Sequence, residues 1–140
     1  MAERDRQTFQ LEVVTPQRLI VSEEVEELVA PGVEGYFGVW PGHTPFMTTL
    51  KFGELSYKRR GEERFLAVGW GYAEILPEKA IILVETAERS EEVDVPRAEQ
   101  ARAKAEECLR RWGDETIDFA RAQAALERAL TRASVAARRR

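Results

Sequence analysis

Thr86-Ala-Glu-Arg-Ser-Glu-Glu-Val-Asp-Val-Pro-Arg-Ala98 separates two halves of the chain that carry different apolar periods. Upstream, short apolar runs alternate with Gly/Pro turns, the pattern of strands; downstream, an Ala/Arg/Glu-rich stretch without proline has the three-and-four spacing of helices. Within the junction, Asp94 is placed to cap the first helix, because its carboxylate can accept from the free N–H groups of the first turn. Pro96 is tolerated there because that turn has no intrahelical use for its nitrogen. Asp94 and Arg97 thereby set an acid and a base on one side of a helix start. The reading that follows is an α+β chain, with an N-terminal antiparallel β-sandwich over residues 1–87 and a C-terminal antiparallel two-helix hairpin over residues 88–140.

Back from the junction, Ala80-Ile-Ile-Leu-Val84 is apolar at every position and is expected to be buried on both faces. Pro77-Glu78-Lys79 marks a turn before it, and Arg60-Gly61-Glu62 marks another between the alternating Leu55/Tyr57 strand and the return strand Arg64–Val68. Nearer the N-terminus, Phe9, Leu11 and Val13 alternate with polar residues as in a half-buried strand. Thr15-Pro16 ends that strand, Arg18–Val21 resumes, and Val25–Ala30 gives a third before Pro31-Gly32. Glu23, Glu24, Glu26 and Glu27 among these positions read as a solvated outer face. Short strands with turns at this spacing indicate a sandwich or flattened barrel.

Forward from the junction, Ala98, Ala101, Ala105, Cys108 and Trp112 form one predicted stripe, and Phe119, Ala122, Leu126, Ala129, Ala133 and Ala136 form a second. Gly113-Asp114 between them reads as a helix stop followed by an N-cap. Seams made mostly of alanine let helices approach closely but bury little area, about 0.8 kcal/mol per methyl. Such a hairpin is expected to open and exchange partners.

Composition narrows the function. A 44% hydrophobic content supports a core, yet no apolar run approaches the roughly 18 residues of a membrane span. The charged start Met-Ala-Glu-Arg-Asp-Arg has neither a signal nor a transit pattern, so a bacterial cytoplasmic or plastid-made product is expected. The net charge of −4 argues against nucleic acid, and the basic run Arg138-Arg139-Arg140 reads as a solvated tail. With one cysteine and one histidine, no disulfide, metal site or nucleophile/base arrangement can be assembled, and an enzyme is not expected.

The most specific stretch is Gly32-Val-Glu-Gly-Tyr-Phe-Gly-Val-Trp-Pro-Gly-His-Thr-Pro45, whose glycines and prolines demand tight turns at fixed offsets around large aromatic residues. Gly35-x-x-Gly38-x-x-Pro41-Gly42-His43-x-Pro45 resembles the signature of the epsilon subunit of bacterial and chloroplast rotary ATP synthases, counterpart of the mitochondrial delta subunit. The Gly69-x-Gly71 pair, Glu85-Thr-Ala-Glu-Arg89, Val93-Asp-x-x-Arg-Ala98 and the closing Arg/Ala-rich helix extend the resemblance, in order, over essentially the whole chain. Trp70 departs from it, standing where the family often carries another glycine.

The resemblance implies a ten-stranded sandwich that joins the gamma subunit of the central stalk to the c-ring, with the c-ring contact carried onto Glu34, Tyr36, Pro41, Gly42 and His43 as a surface. It implies a regulatory hairpin that restrains ATP hydrolysis and reaches the alpha/beta subunits when extended. No cofactor is required; ATP is a candidate regulatory ligand at Glu88, Asp94, Arg97, Ala98, Arg128 and Arg132. Capping and mutual pairing of Asp94 and Arg97 is the competing reading of those two residues. The implied location is peripheral, on the cytoplasmic face of the bacterial inner membrane. A free-standing ATP-sensing module is the alternative.

Overall fold

The computed structural model describes residues 8–138 and divides into two compact units, Met1–Glu88 and Arg89–Arg140. The charged N-terminal segment and Arg139-Arg140 lie outside the described residues. No helix among the described residues is long and apolar enough to cross a membrane.

The first unit is a sheet of eight strands: β1 (Phe9–Val14), β2 (Leu19–Val25), β3 (Glu27–Gly32), β4 (Gly35–Val39), β5 (Phe46–Leu50), β6 (Gly53–Arg59), β7 (Glu62–Leu76) and β8 (Lys79–Arg89). Their order is β2-β1-β8-β7-β5-β3-β4, with β6 bridging β3 and β7. The resemblance implied ten strands. The count among the described residues is eight, and β7, 15 residues long, serves two ladders: Glu62–Val68 pairs with β6 and Gly71–Ile75 with β5. The sheet is also mixed, since β1 runs parallel to β8 from Gln10↔Lys79 to Val14↔Leu83. A parallel ladder needs a long connection, and here almost the entire sandwich separates the two strands.

Alternation sends one face of each strand inward. Leu11, Val13, Val21, Val25, Leu28, Val39, Leu50, Leu55, Leu66, Val68, Ile75 and Ile82 are fully buried in a single core made by the strands. The turn chemistry matches the sequence. Arg60 (φ 53°) and Gly61 (φ 81°) make a two-residue connection with Arg59 opposite Glu62, the type I′ geometry that suits the twist of a hairpin. Pro77 and Glu78 connect β7 to β8. β3 runs through Pro31 and Gly32 rather than ending before them, because the Pro31 carbonyl still accepts from the Lys51 N–H at 3.0 Å. Ala80–Val84 is not buried on both faces: Ala80, Ile82 and Val84 point into the core, whereas Leu83 is 48% exposed on the outer face.

β7 turns from one ladder to the other at Gly69-Trp70-Gly71. The flanking glycines are steric necessities: a Cβ on Gly71 would overlap the Leu83 carbonyl oxygen, and one on Gly69 would lie 2.7 Å from the Phe52 ring. Between them Trp70 has φ 37°, a conformation that costs a side-chain-bearing residue about 1–3 kcal/mol.

The second unit opens with a short 3-10 turn, Ser90–Glu92, followed by α1 (Val95–Arg110) and α2 (Phe119–Ala137), packed on each other as a hairpin. Asp94 caps α1 as expected, Oδ1 accepting from the Arg97 N–H at 3.1 Å. The cap of α2 is Asp118, not Asp114; its Oδ1 accepts from the Arg121 N–H at 3.0 Å. Asp114 instead folds the loop on itself. Its Oδ1 accepts from the Thr116 N–H at 2.9 Å and from the Thr116 hydroxyl at 2.6 Å, and these bonds hold its carboxyl below the usual carboxylate range.

The seam differs from the predicted stripe in α1. Ala98 and Ala105 are buried, but Ala101 is exposed and Trp112 is 90% exposed beyond the helix end, resting near Phe119 with ring centroids 6.2 Å apart. The inward row is Ala98, Arg102, Ala105 and Leu109. Arg102 is half-buried, and its guanidinium reaches Glu99 and Glu106 on its own helix. In α2 the predicted Ala122, Ala129 and Ala136 are buried, joined by Val135.

Candidate functional site

The hairpin unit gathers cationic side chains. Because α1 and α2 run antiparallel, the start of α1 lies beside the later turns of α2. Arg97 lies in the first turn of α1, Arg128 at the middle of α2 and Arg132 one turn further on, while Ala98 is buried. Among the described residues the guanidinium groups of Arg97 and Arg128 have no ion pair or hydrogen bond. Asp94 does not pair with the Arg97 guanidinium; its carboxylate is committed through Oδ1 to the backbone of α1, which leaves Oδ2 unbonded. Guanidinium groups in this position can take phosphate oxygens in pairs. Glu88 is the last residue of the sandwich unit.

The candidate residues of the sandwich fall into two groups at opposite ends of β4. Glu34 occupies the exposed turn between β3 and β4, where Gly32 pairs with Gly35, and Tyr36 follows it; the Tyr36 hydroxyl accepts from the Glu54 N–H at 3.1 Å. Pro41, Gly42 and His43 lie in the loop after β4, separated from Glu34 by a five-residue strand, about 3.3 Å per residue. In that loop the Gly42 N–H donates to the Pro77 carbonyl at 2.7 Å, joining the two connections. His43 is held locally: its backbone N–H donates to Trp40 O at 3.2 Å, its ring packs on Phe46 at 5.0 Å, and its Nδ1 lies 2.7 Å from Thr44 O. A carbonyl only accepts, so Nδ1 carries the proton and His43 acts as a turn residue.

Gly42 has φ 81°, and a Cβ there would meet open space. Conformation, not crowding, requires glycine. Gly42→Val is expected to destabilise the sandwich by about 1–2 kcal/mol and Gly42→Asn by less, since asparagine enters this region more readily. Thermal melts followed at a β-sheet wavelength test it; equal midpoints for the two variants would show that the backbone sign does not matter here.

Sequence reasoning missed a third feature. On the outer face of β5, β7 and β8, Met47, Trp70, Tyr72 and Leu83 are all large and exposed, with Trp70 at 52% and Tyr72 at 58%. Thr49 pairs with Tyr72, and Trp70, Tyr72 and Leu83 line one groove with Val14, Pro16 and Glu85. Glu85 lines that groove and Glu74 is exposed opposite Met47, both without ion-pair partners among the described residues. The signal was present in Ala80–Val84. A strand with one solvent face ordinarily alternates with polar residues, so an unbroken apolar run means either two buried faces or an outer face kept for a partner.

Comparison with known proteins covers both units. Residues 8–90 match the beta-sandwich domain of the ATP synthase Delta/Epsilon chain, and residues 91–137 match its long alpha-helix domain. The chain is 48% identical over 130 residues to the ATP synthase epsilon chain of Geotalea uraniireducens, covering 93% of this chain and 94% of that one. It is 50% identical over 108 residues to the epsilon chain of Koribacter versatilis, covering 77% and 76%. Among solved structures, a chain of the Euglena gracilis mitochondrial ATP synthase OSCP/F1/c-ring assembly shares the fold with a TM-score of 0.75 at 23% identity, over 87% of this chain and 76% of that one.

Proposed function

The chain belongs to the ATP synthase Delta/Epsilon family, matched in both of that family's domains, and from that premise we propose that its sandwich fastens the gamma subunit to the c-ring while its helices restrain ATP hydrolysis. It is an epsilon-type subunit of the ATP synthase. The observation that carries the division of labour is that the chain divides into two compact units and that the buried cluster of the sandwich is built from strand residues alone.

The outer apolar face around Tyr72 and Leu83 is the surface for gamma. Several large side chains left in water on one sheet face are the mark of a protein contact, and the edge carboxylates Glu74 and Glu85 suit a partner with basic residues around an apolar centre. Glu34, Tyr36, Pro41, Gly42 and His43 present two separate exposed turns for the c-ring. The subunit does no catalysis of its own, sits peripherally on the cytoplasmic face of the inner membrane, and reaches the alpha/beta subunits when the hairpin extends. Co-purification with tagged gamma tests the assignment. A chain that binds nucleotide as a monomer and ignores gamma would instead be the free-standing sensor.

ATP is the regulatory ligand of the closed hairpin in this reading, with Arg97, Arg128 and Arg132 toward the phosphates, Asp94 Oδ2 toward the adenine amino group, Ala98 leaving room beside it, and Glu88 adjoining in sequence. The unpaired guanidinium groups of Arg97 and Arg128 support it. Arg97→Ala and Arg128→Ala are each expected to weaken ATP binding about tenfold, the loss of one charge-assisted contact of about 1.5 kcal/mol. Titration calorimetry on the intact chain measures this. Affinities unchanged in both variants, or no binding at millimolar ATP, would leave Asp94 as a cap and the arginines as surface charge.

A further inference from the structure

We propose that Trp70 is the anchor by which this chain grips the gamma subunit, an inference that rests on the gamma-binding face assigned above. Its backbone is the starting point. Position 70 is bracketed by two glycines that the packing demands, and it holds φ 37°, where glycine would sit without strain. The sequence places there the largest side chain available, and the indole gains only partial cover in return, remaining half exposed. A strained backbone that presents a large apolar group to solvent makes sense when a partner buries that group.

The neighbours agree. Tyr72 and Leu83 lie along the same groove, Met47 stands exposed on the adjacent β5, and the unpaired carboxylates Glu74 and Glu85 border the patch. Aromatic anchors at the centre of an interface, ringed by contacts that exclude water, dominate binding, and tryptophan is the residue most enriched among them. The partner surface that fits is an apolar pocket with lysine or arginine at its rim.

The test uses the full chain and purified gamma. Trp70→Gly and Trp70→Asn, both suited to a positive φ, are expected to weaken gamma binding ten- to hundredfold while circular dichroism shows the chain still folded, and Trp70→Phe is expected to recover part of the loss. With fluorinated tryptophan incorporated and Trp40 and Trp112 replaced by phenylalanine, the fluorine NMR resonance of Trp70 is expected to shift on adding gamma, which a residue serving only the fold would not do. Tight gamma binding with affinity within twofold in the variants, or an unmoved resonance, would overturn the anchor and leave the function intact. A resonance that moves with the chain's own concentration would overturn it in favour of a second copy on this face. Weakened attachment to the c-ring with gamma binding preserved would overturn it as well. Absence of gamma binding by the natural chain would remove the assigned function and this inference together.

Discussion

Removal of residues 89–140 is expected to raise the ATPase rate of membranes carrying the enzyme severalfold while ATP synthesis and gamma binding persist. The expectation follows from where burial occurs. The sandwich core runs from Phe9 to Val84 and includes no helix residue, so the truncated chain keeps every side chain of that cluster. The helices bury chiefly alanines in their mutual seam, Ala98 and Ala105 against Ala122, Ala129 and Ala136. At about 0.8 kcal/mol per methyl, that seam makes a hairpin whose opening costs little beside unfolding the sandwich. The open form would carry Arg121, Arg128 and Arg132 on one long helix, with Glu127 the acidic residue among them. A contact between that helix and acidic surfaces of the catalytic subunits should weaken as salt rises. The measurement is ATPase and ATP-driven proton pumping, intact against truncated, at low and moderate salt. Equal hydrolysis rates would end the inhibitory role; lost gamma binding would show that the sandwich needs its helices.

Gly71→Ala should be the most damaging single methyl in the sandwich. The added carbon would overlap the Leu83 carbonyl oxygen and lie 2.8 Å from Val84 Cα, both backbone atoms of the neighbouring strand that cannot swing away. Relief requires β7 and β8 to part where β8 also carries the parallel ladder to β1. Overpacking of this kind costs about 3 kcal/mol, which in a unit of this size lowers the thermal midpoint by more than about 10 °C. Gly38→Ala is the control. Its Cβ would meet the exposed Trp40 ring at 2.6 Å, the far end of a side chain with room to turn. A Gly71→Ala melt no lower than that of Gly38→Ala would show that the strand spacing is not held by this glycine.

Local chemistry was the legible part of this sequence. The change of period at Thr86–Ala98, the Asp94 cap, the Arg60-Gly61 and Pro77-Glu78 connections and the glycine at 42 all follow from a few neighbouring residues. What depended on distant partners was not legible. Asp114 and Asp118 both precede the second helix, and which one caps it is decided by the loop closing on Thr116. The spacing of small and apolar residues draws the α1 stripe through Ala101 and Trp112, both of which are exposed, whereas Arg102 is half-buried. The unbroken run predicts burial for Leu83, because periodicity cannot distinguish a second buried layer from a face awaiting a partner. Among the candidate site residues, the separation of Glu34 from Gly42 requires knowing that all of β4 lies between them.

The parallel ladder between β1 and β8 has a bearing on how the chain is made. β1 is translated first among the strands and β8 last, so the order of synthesis is opposed to the order of closure. Until Leu83 has left the ribosome Val14 has no neighbour on that side, and the inward rows of the earlier strands remain wet. Pairings of such long sequence separation are slow to form, and they leave edges and apolar surface open to aggregation in the meantime. The helices are synthesised after the last sandwich strand and supply nothing to its core. Completion of the nascent sandwich is therefore timed by the emergence of β8 alone.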